Sequence, residues 1–293
     1  MKRLWIALLA LLTAVFSPNA RSDADGLVWA IDGDRNTVYL AGSIHLLRKT
    51  DYPLPTSLAA AYEDAEALLM ELDMDDLNPL AMTSKMMSAG RAAEGQSLSV
   101  VLGDQYEQAQ ALASQLNIDL KRLDTVQPWL AAMTITQVAM MSQGFDPTVG
   151  VEMHFTQAAG EDGKPIEGLE TLDEQIDALA TMDMDDQVDF LMMTLSDMDE
   201  LDSMINTMVS AWRAGDVQRM VEDLIEPMNE NPDVSEAMLL KRNRNWIETI
   251  EAQLQRDDDV MILVGAAHLV GEGSVNDLLT QKGYELRRVR STP

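Results

Sequence analysis

Short runs of branched, apolar residues occur near both ends of the chain and predict buried β-strands. Residues 27–31 and 37–41 flank a turn-forming Asp-Gly-Asp-Arg-Asn segment, and this pattern predicts a hairpin. Residues 67–73 predict a third strand, and residues 260–264 and 284–289 predict two more strands close to the C-terminus.

Between about residues 78 and 256 the apolar positions change to helical spacing, apart from a turn and a short strand between Lys164 and Thr171. The predicted helices cover residues 79–90, 104–116, 128–143, 150–159, 172–181, 185–195, 201–214 and 235–254. The pattern therefore predicts an α/β fold, with a central mixed β-sheet formed by the N- and C-terminal parts and a large helical insertion between them. Because no Pro/Gly/Ser-rich linker separates the insertion, residues 25–293 are interpreted as one domain.

Two of the predicted strands are followed by the same short motif, Gly-x-x-His. Gly42-Ser-Ile-His45 follows residues 37–41, and Gly265-Ala-Ala-His268 follows residues 260–264. In a sheet covered by helices, side chains just beyond the strand ends face a common crevice. We therefore expect His45 and His268, two of the three histidines in the chain, to meet in space.

Several carboxylates are predicted to lie near the same crevice. Glu71 lies towards the end of a predicted strand, and Glu170 lies beside the end of the short one. Glu152 shares a helical stripe with apolar positions three and seven residues later, so it is expected to face inward, whereas His154 is not. A buried carboxylate needs a partner or a metal ion. The alternative for Glu71 is an exposed position on a sheet edge, and the alternative for Glu170 is an ordinary charge at a helix N-terminus.

Arg244 lies on the predicted helix that leads into residues 260–264. An arginine in this position is a candidate partner for a buried carboxylate, or for the negative charge that develops in a hydrolytic transition state. A surface arginine is the alternative.

The amino-acid composition excludes several classes of partner and of catalytic chemistry. The hydrophobic fraction of 46% is enough for a sizeable core. The 49 acidic residues against 21 Lys and Arg argue against nucleic acid and anionic membranes as partners. The chain has no Cys, which excludes disulfides, thiolate ligands and a Cys nucleophile. No HExxH, P-loop, Gly-x-Ser-x-Gly or dinucleotide motif is present.

The first 24 residues have the layout of a secretory signal peptide. Met1-Lys2-Arg3 is basic, residues 4–16 are almost entirely apolar, and small residues follow, with cleavage expected after Ala20 or Ala24. An uncleaved anchor is the alternative. No later segment is long and apolar enough to span a bilayer, so we expect a periplasmic or secreted protein without stable membrane insertion after cleavage.

Methionine is abundant, with 21 residues in the chain, many of them in the helical block. Their helical spacing among Leu, Ile and Val predicts core packing, including that of Met182, Met184, Met192 and Met193. Two alternatives are copper(I) binding through thioethers and a Met-lined groove for apolar peptide.

These segments together resemble the TraB/GumN family, which is similar to the Tiki metalloproteases and related to the erythromycin-esterase/ChaN-like fold group. The resemblance rests on the two Gly-x-x-His motifs and on Met70-Glu-Leu-Asp73, Gly150-Val-Glu152, Gly168-Leu-Glu170-Thr171 and Arg242-Asn-Arg244-Asn-Trp246. It implies an α/β sheet with helical insertions. For Tiki-like members it also implies peptide hydrolysis that depends on a divalent metal, with the two histidines and a Glu.

The resulting prediction is an exported metal-dependent hydrolase that cleaves peptides. His45, His268 and Glu71 are assigned as ligands of Mn, Co or Zn, Glu152 or Glu170 as the base, and Arg244 as the electrostatic partner. The alternatives are a metal-free esterase-like hydrolase with a His as base, and a non-catalytic binding protein for a metal complex, haem or peptide. A peptide or another small molecule is the expected substrate.

Overall fold

The computed structural model describes residues 25–196 and 201–290, so the predicted signal peptide lies outside the described residues. The strands are β1 (Val28–Asp32), β2 (Thr37–Ser43), β3 (Ala67–Met70), β4 (Ile166–Gly168), β5 (Val260–Gly265) and β6 (Arg287–Arg288). Each of the strands predicted from the sequence is present. The last one is shorter than predicted, and β3 ends at Met70, so that Glu71 lies just beyond the strand.

Helices fill most of the chain between β3 and β5, and one further helix precedes β3 and one follows β5. They are α1 (Thr56–Asp64), α2 (Pro79–Ala89), α3 (Leu98–Leu102), α4 (Tyr106–Gln115), α5 (Pro128–Ser142), α6 (Val151–Asp162), α7 (Leu172–Ala180), α8 (Met184–Ser196), α9 (Leu201–Ala214), α10 (Val217–Met220), α11 (Glu226–Met228), α12 (Pro232–Ser235), α13 (Lys241–Gln253) and α14 (Val275–Gln281). The predicted helix 235–254 is interrupted by a π turn at Glu236–Leu240, after which α13 continues. In the described part of the chain, no helix combines the length and the apolar character that crossing a membrane needs.

The six strands form one mixed sheet in the order β4-β3-β5-β2-β1-β6. Strands β4, β3, β5 and β2 are parallel, whereas β1 pairs antiparallel with both of its neighbours. Every residue of β5 is buried, which explains its uninterrupted apolar sequence, since a central parallel strand has no solvent-facing side. The predicted α/β fold, with a helical block between N- and C-terminal strands, is confirmed.

The strand register aligns the carboxyl ends of the four parallel strands along one edge of the sheet. Ser43 at the end of β2 pairs with Gly265 at the end of β5. Met70 at the end of β3 pairs with Leu263 of β5 and with Gly168 of β4. The segments that follow these strands therefore start side by side, as the crevice argument predicts.

The buried apolar residues form two cores. The larger one surrounds the sheet, and the second lies within the helical block, where α5 packs against α8 around Trp129 and Leu191. The partly buried Met238 contacts both cores. Partly buried methionines also pack against the helical core, among them three of the four that were predicted to do so: Met182, Met192 and Met193. Met184, the fourth, is 36% exposed.

Candidate functional site

Glu71 lies at the centre of a cluster of ionisable side chains at the carboxyl edge of the parallel strands. Its Oε1 atom lies 3.9 Å from Nε2 of His45 and 3.8 Å from Nε2 of His268. The same oxygen accepts a hydrogen bond of 2.8 Å from the backbone N–H of Gly265. The two Gly-x-x-His motifs thus meet around one carboxylate oxygen, as the sequence predicts for His45 and His268.

Glycine at two motif positions permits this close approach. A Cβ atom on Gly265 would lie 3.2 Å from Oε1 of Glu71 and 3.3 Å from Nε2 of His45, in the space where the three side chains converge. A Cβ atom on Gly150 would lie 2.0 Å from the carbonyl oxygen of His45, so only glycine lets the start of α6 pack against this segment.

Glu152 and Ser43 hold the His45 ring. Glu152 is the inward-facing residue of α6, and its Oε1 atom lies 2.7 Å from Nδ1 of His45. The Ser43 hydroxyl also donates to this carboxylate. Because Nδ1–H of His45 points at Glu152, Nε2 is the nitrogen that faces Glu71. The charge of Glu152 raises the pKa of His45 to about 10, and partial desolvation of this half-exposed ring only partly offsets this.

Asn243 fixes the tautomer of His268. The amide nitrogen of Asn243 donates to the Gly273 carbonyl oxygen at 2.9 Å, so Oδ1 is the atom that faces Nδ1 of His268 at 2.6 Å. An acceptor at that position requires Nδ1–H, which leaves the lone pair on Nε2. The ring is 4% exposed and packs against Trp246 with the ring centroids 4.5 Å apart. Burial lowers the pKa of His268 to about 3.

Arg242 joins the carboxylates that follow β3 and β4. Its Nη2 atom lies 2.6 Å from Oε2 of Glu71 and 2.5 Å from Oε1 of Glu170. Its Nη1 atom donates to the carbonyl oxygen of Met238 and lies 3.2 Å from Nε2 of His268. The geometry assigns Arg242 a contact with every part of the cluster except the His45–Glu152 pair.

Arg244, which the sequence predicts as the electrostatic partner, lies outside this cluster. It forms an ion pair with Glu236, and its side chain is 50% exposed. Residues two apart on an α-helix point in nearly opposite directions, so α13 can direct only one of the two arginines inward. Trp246, buried and four residues after Arg242, marks the inward face. Once the packing of Trp246 is known, this spacing identifies Arg242 as the inward-facing arginine.

Glu170 is buried on the far side of Arg242. Besides the arginine, it accepts hydrogen bonds from Trp246 Nε1 at 3.2 Å and from Gln175 Nε2 at 3.1 Å. Burial raises the pKa of Glu170, although Arg242 opposes this. For Glu71, burial is outweighed by the facing His268 and His45 rings, Arg242 and the Gly265 N–H, so its pKa lies well below the usual range. His45, Glu71, Glu152, Glu170, Arg242 and His268 are called the site cluster below.

His154 lies outside the cluster, as predicted. Its ring is exposed on α6 and contacts Tyr52 and Phe155. Asn243 and Gln175 were not predicted from the sequence. Asn243 lies three residues before Trp246 on one face of α13, and that helical spacing is the available signal for it.

The cluster contains the donor types that divalent metal ions bind. Two imidazole Nε2 atoms and one carboxylate oxygen converge, and each Nδ1–H points at an oxygen acceptor, the arrangement that orients metal-ligating histidines. Among the described residues the cluster combines three carboxylates with one guanidinium, which contacts Glu71 and Glu170, and this leaves an excess of two negative charges when both imidazoles are neutral. However, no group of three His, Asp or Glu side chains in the described ranges is spaced as a formed metal site.

Comparison with known proteins places these features in a family. The chain is 26% identical to the uncharacterized protein YbaP of Shigella flexneri and of Escherichia coli over 250 residues, which cover 85% of this chain and 89% of YbaP. It is 23% identical to Metalloprotease TIKI2 of Danio rerio, over 92% of this chain and 62% of that protein. No solved structure matches the chain. The profile of the TraB/PrgY/gumN family matches residues 27–288, and the chain therefore belongs to this family.

Proposed function

We propose that this protein is an exported hydrolase that cleaves peptides with the help of a divalent metal ion. The observation that carries the proposal is the convergence of His45, His268 and Glu71 at the end of the parallel strands, with Arg242 beside them. Similarity to a protein named as a metalloprotease supports the hydrolase class.

In this proposal His45, His268 and Glu71 would hold the ion, which would lower the pKa of a water molecule and polarise the substrate carbonyl. Glu152 accepts the proton from water, because it lines the cavity with Glu71 and the facing His45 ring lowers its pKa despite burial, which keeps it ionised. Arg242 stabilises the negative charge that develops on the carbonyl oxygen, which is the role that the sequence predicts for Arg244. Glu170 is a positioning residue, since it accepts hydrogen bonds from the Arg242 guanidinium and fixes its orientation.

The direct test is hydrolysis of a quenched fluorescent peptide library after EDTA treatment, followed by addition of Mn²⁺, Co²⁺ or Zn²⁺. We expect cleavage that depends on the added metal and is lost in Glu71→Gln and His268→Ala. His154→Ala is the matched control, because this histidine lies outside the cluster, and it should cleave like wild type. Absence of cleavage with all three metals would contradict the proposal.

A metal-free hydrolase is the second candidate, and the His45–Glu152 pair favours it. A carboxylate on Nδ1 orients an imidazole for proton transfer, and the His45 side chain is 57% exposed, so substrate can reach it. Because Glu152 raises the pKa of His45 to about 10, this base acts in alkaline solution. Under this alternative, activity persists in EDTA and is lost in His45→Ala but retained in His268→Ala.

Export is part of the proposal and rests on the first 24 residues alone. N-terminal sequencing of protein recovered from the periplasmic fraction should find a new terminus after Ala20 or Ala24. Recovery of intact Met1 in the membrane fraction would instead show an uncleaved anchor.

A further inference from the structure

A cavity of about 510 Å³ opens from the site cluster into the helical block. In the described part of the chain, its charged and amide-bearing wall residues are His45, Glu71, Glu152, Arg242 and Gln175, and Gln175 donates hydrogen bonds to Glu71 and Glu170. All of these are thus in the cluster or bonded to it, and the indole N–H of Trp129 is a further buried polar group of the wall. The remainder of the wall is apolar and is dominated by methionines, namely Met70, Met74, Met82, Met86, Met133, Met153 and Met238.

We propose that this cavity binds a linear acyl chain of the substrate, joined through an amide to the peptide that the cluster cleaves. The substrate class is then an N-acylated peptide. This inference rests on the proposed function for the cleavage step, but the binding step is independent of it.

The size of the cavity exceeds the needs of one amino-acid side chain. A water-sized group takes about 30 Å³. A cavity of about 510 Å³ therefore has room for on the order of fifteen methylene-sized groups. A medium to long acyl chain has this volume, and so do several apolar side chains on a peptide.

Polarity distinguishes these two occupants. A peptide segment that enters the cavity brings backbone N–H and C=O groups with it. Burying each of these groups without a hydrogen-bond partner costs free energy. Beyond the cluster the wall offers apolar side chains such as Met133, Ile176 and Leu179. An acyl chain has no hydrogen-bonding groups beyond its carbonyl, which stays at the polar end beside Arg242.

The wall is also suited to a flexible, unbranched occupant. Methionine side chains are unbranched and adapt their shape to what they contact. Two of them, Met82 and Met86, come from α2, a helix in which no residue is buried. An ion pair between Lys85 and Asp173 links α2 to α7 at 2.6 Å. Because α2 is weakly held, its local opening needs little free energy. Such opening gives the acyl chain a route into the apolar cavity.

The test is calorimetric binding of N-acyl-alaninamides with chains of four to twelve carbons to EDTA-treated protein, so that no hydrolysis is required. We expect the affinity to rise about fourfold for each added methylene group, because each group is transferred from water into an apolar site. An affinity that does not change with chain length would overturn the proposal, as would tighter binding of a non-acylated oligoleucine amide than of the twelve-carbon ligand.

Ala178→Trp places an indole in the cavity and should weaken binding of the twelve-carbon ligand at least tenfold, with little effect on the four-carbon one. Met87→Trp is the matched control, since Met87 is 50% exposed on α2 and does not line the cavity. Unchanged twelve-carbon binding in a folded Ala178→Trp variant contradicts the proposal.

A second measurement avoids any dependence on the folding of that variant. A twelve-carbon ligand with a diazirine at the chain end should label wild-type α2, α5 or α7 after irradiation, and labelling confined to other surfaces contradicts the proposal. If acyl binding is retained while peptide cleavage fails with every metal, only the proposed hydrolase function is wrong.

Discussion

Nη2 of Arg242 lies 2.6 Å from Oε2 of Glu71, although 171 residues separate the two in the chain. The same guanidinium contacts Glu170 and lies beside His268. Arg242 therefore neutralises buried carboxylates that follow two different strands, and it links the sheet edge to α13. An ionic contact of this kind depends strongly on both partners, because an unpaired charge at a buried position is costly.

Replacement of Arg242 by Met should destabilise the protein by about 3–5 kcal/mol, because Glu71 and Glu170 are left buried without a counter-charge. Urea unfolding in EDTA measures this. Arg244→Met on the same helix is the control and should change the free energy of unfolding by less than about 1 kcal/mol, since its pair with Glu236 is exposed. Equal effects of the two substitutions would contradict the assignment of Arg242 to the cluster.

Metal affinity should depend on the residue that orients His268 as well as on the ligands. Asn243→Leu removes the acceptor for Nδ1–H, and we expect divalent metal affinity to fall about 10–100-fold, as for other residues that orient ligating histidines. His45→Ala and His268→Ala should each reduce it at least as much, and the double variant little further. Calorimetric titration with Mn²⁺, Co²⁺ and Zn²⁺ is the measurement, with His154→Ala expected to bind like wild type.

Metal binding should release a proton near neutral pH, and that proton should come from His45. Because Glu152 raises the pKa of His45 to about 10, Nε2 carries a proton at pH 7–8 that a metal ion must displace. Burial keeps His268 neutral throughout this range, so it releases none. Metal affinity should therefore increase as pH rises from about 6.5 towards 10.

Calorimetry in buffers of different ionisation enthalpy measures the number of protons released. In Glu152→Gln the neutral amide no longer raises the pKa of His45, so proton release at pH 8 should fall by about one proton, and the part of the pH dependence that is due to His45 should move below about pH 6.5. A wild-type protein that releases no proton at pH 7 is the result that contradicts the His45–Glu152 ion pair.

Hydrogen exchange should be fast in α2 and slow in α5. No residue of α2 is buried, whereas α5 contributes several fully buried side chains to the helical core, including Trp129. Exchange followed by mass spectrometry should show α2 amides exchanging through local opening and α5 amides near the global unfolding limit. Lys85→Ala should accelerate exchange in α2 alone, and equal protection of the two helices would contradict a weakly held α2.

The sequence by itself determined the elements and the residues that approach one another through strand ends. Apolar runs and helical spacing predict the strands and most helix bounds within a few residues, because burial on one face imposes a period on the chain. The repeated Gly-x-x-His motif predicts that His45 and His268 meet, because parallel strands end at a common edge.

Only the tertiary structure decided which arginine enters the cluster and what holds each imidazole. The direction of a side chain on α13 depends on the rotation of that helix against the sheet, which the packing of Trp246 sets. Glu152 contacts His45 from 107 positions away in the sequence, and Asn243 contacts His268 from 25 positions away. The apolar cavity is likewise formed by residues from several elements between two cores, and no local pattern in the sequence specifies the space that they leave.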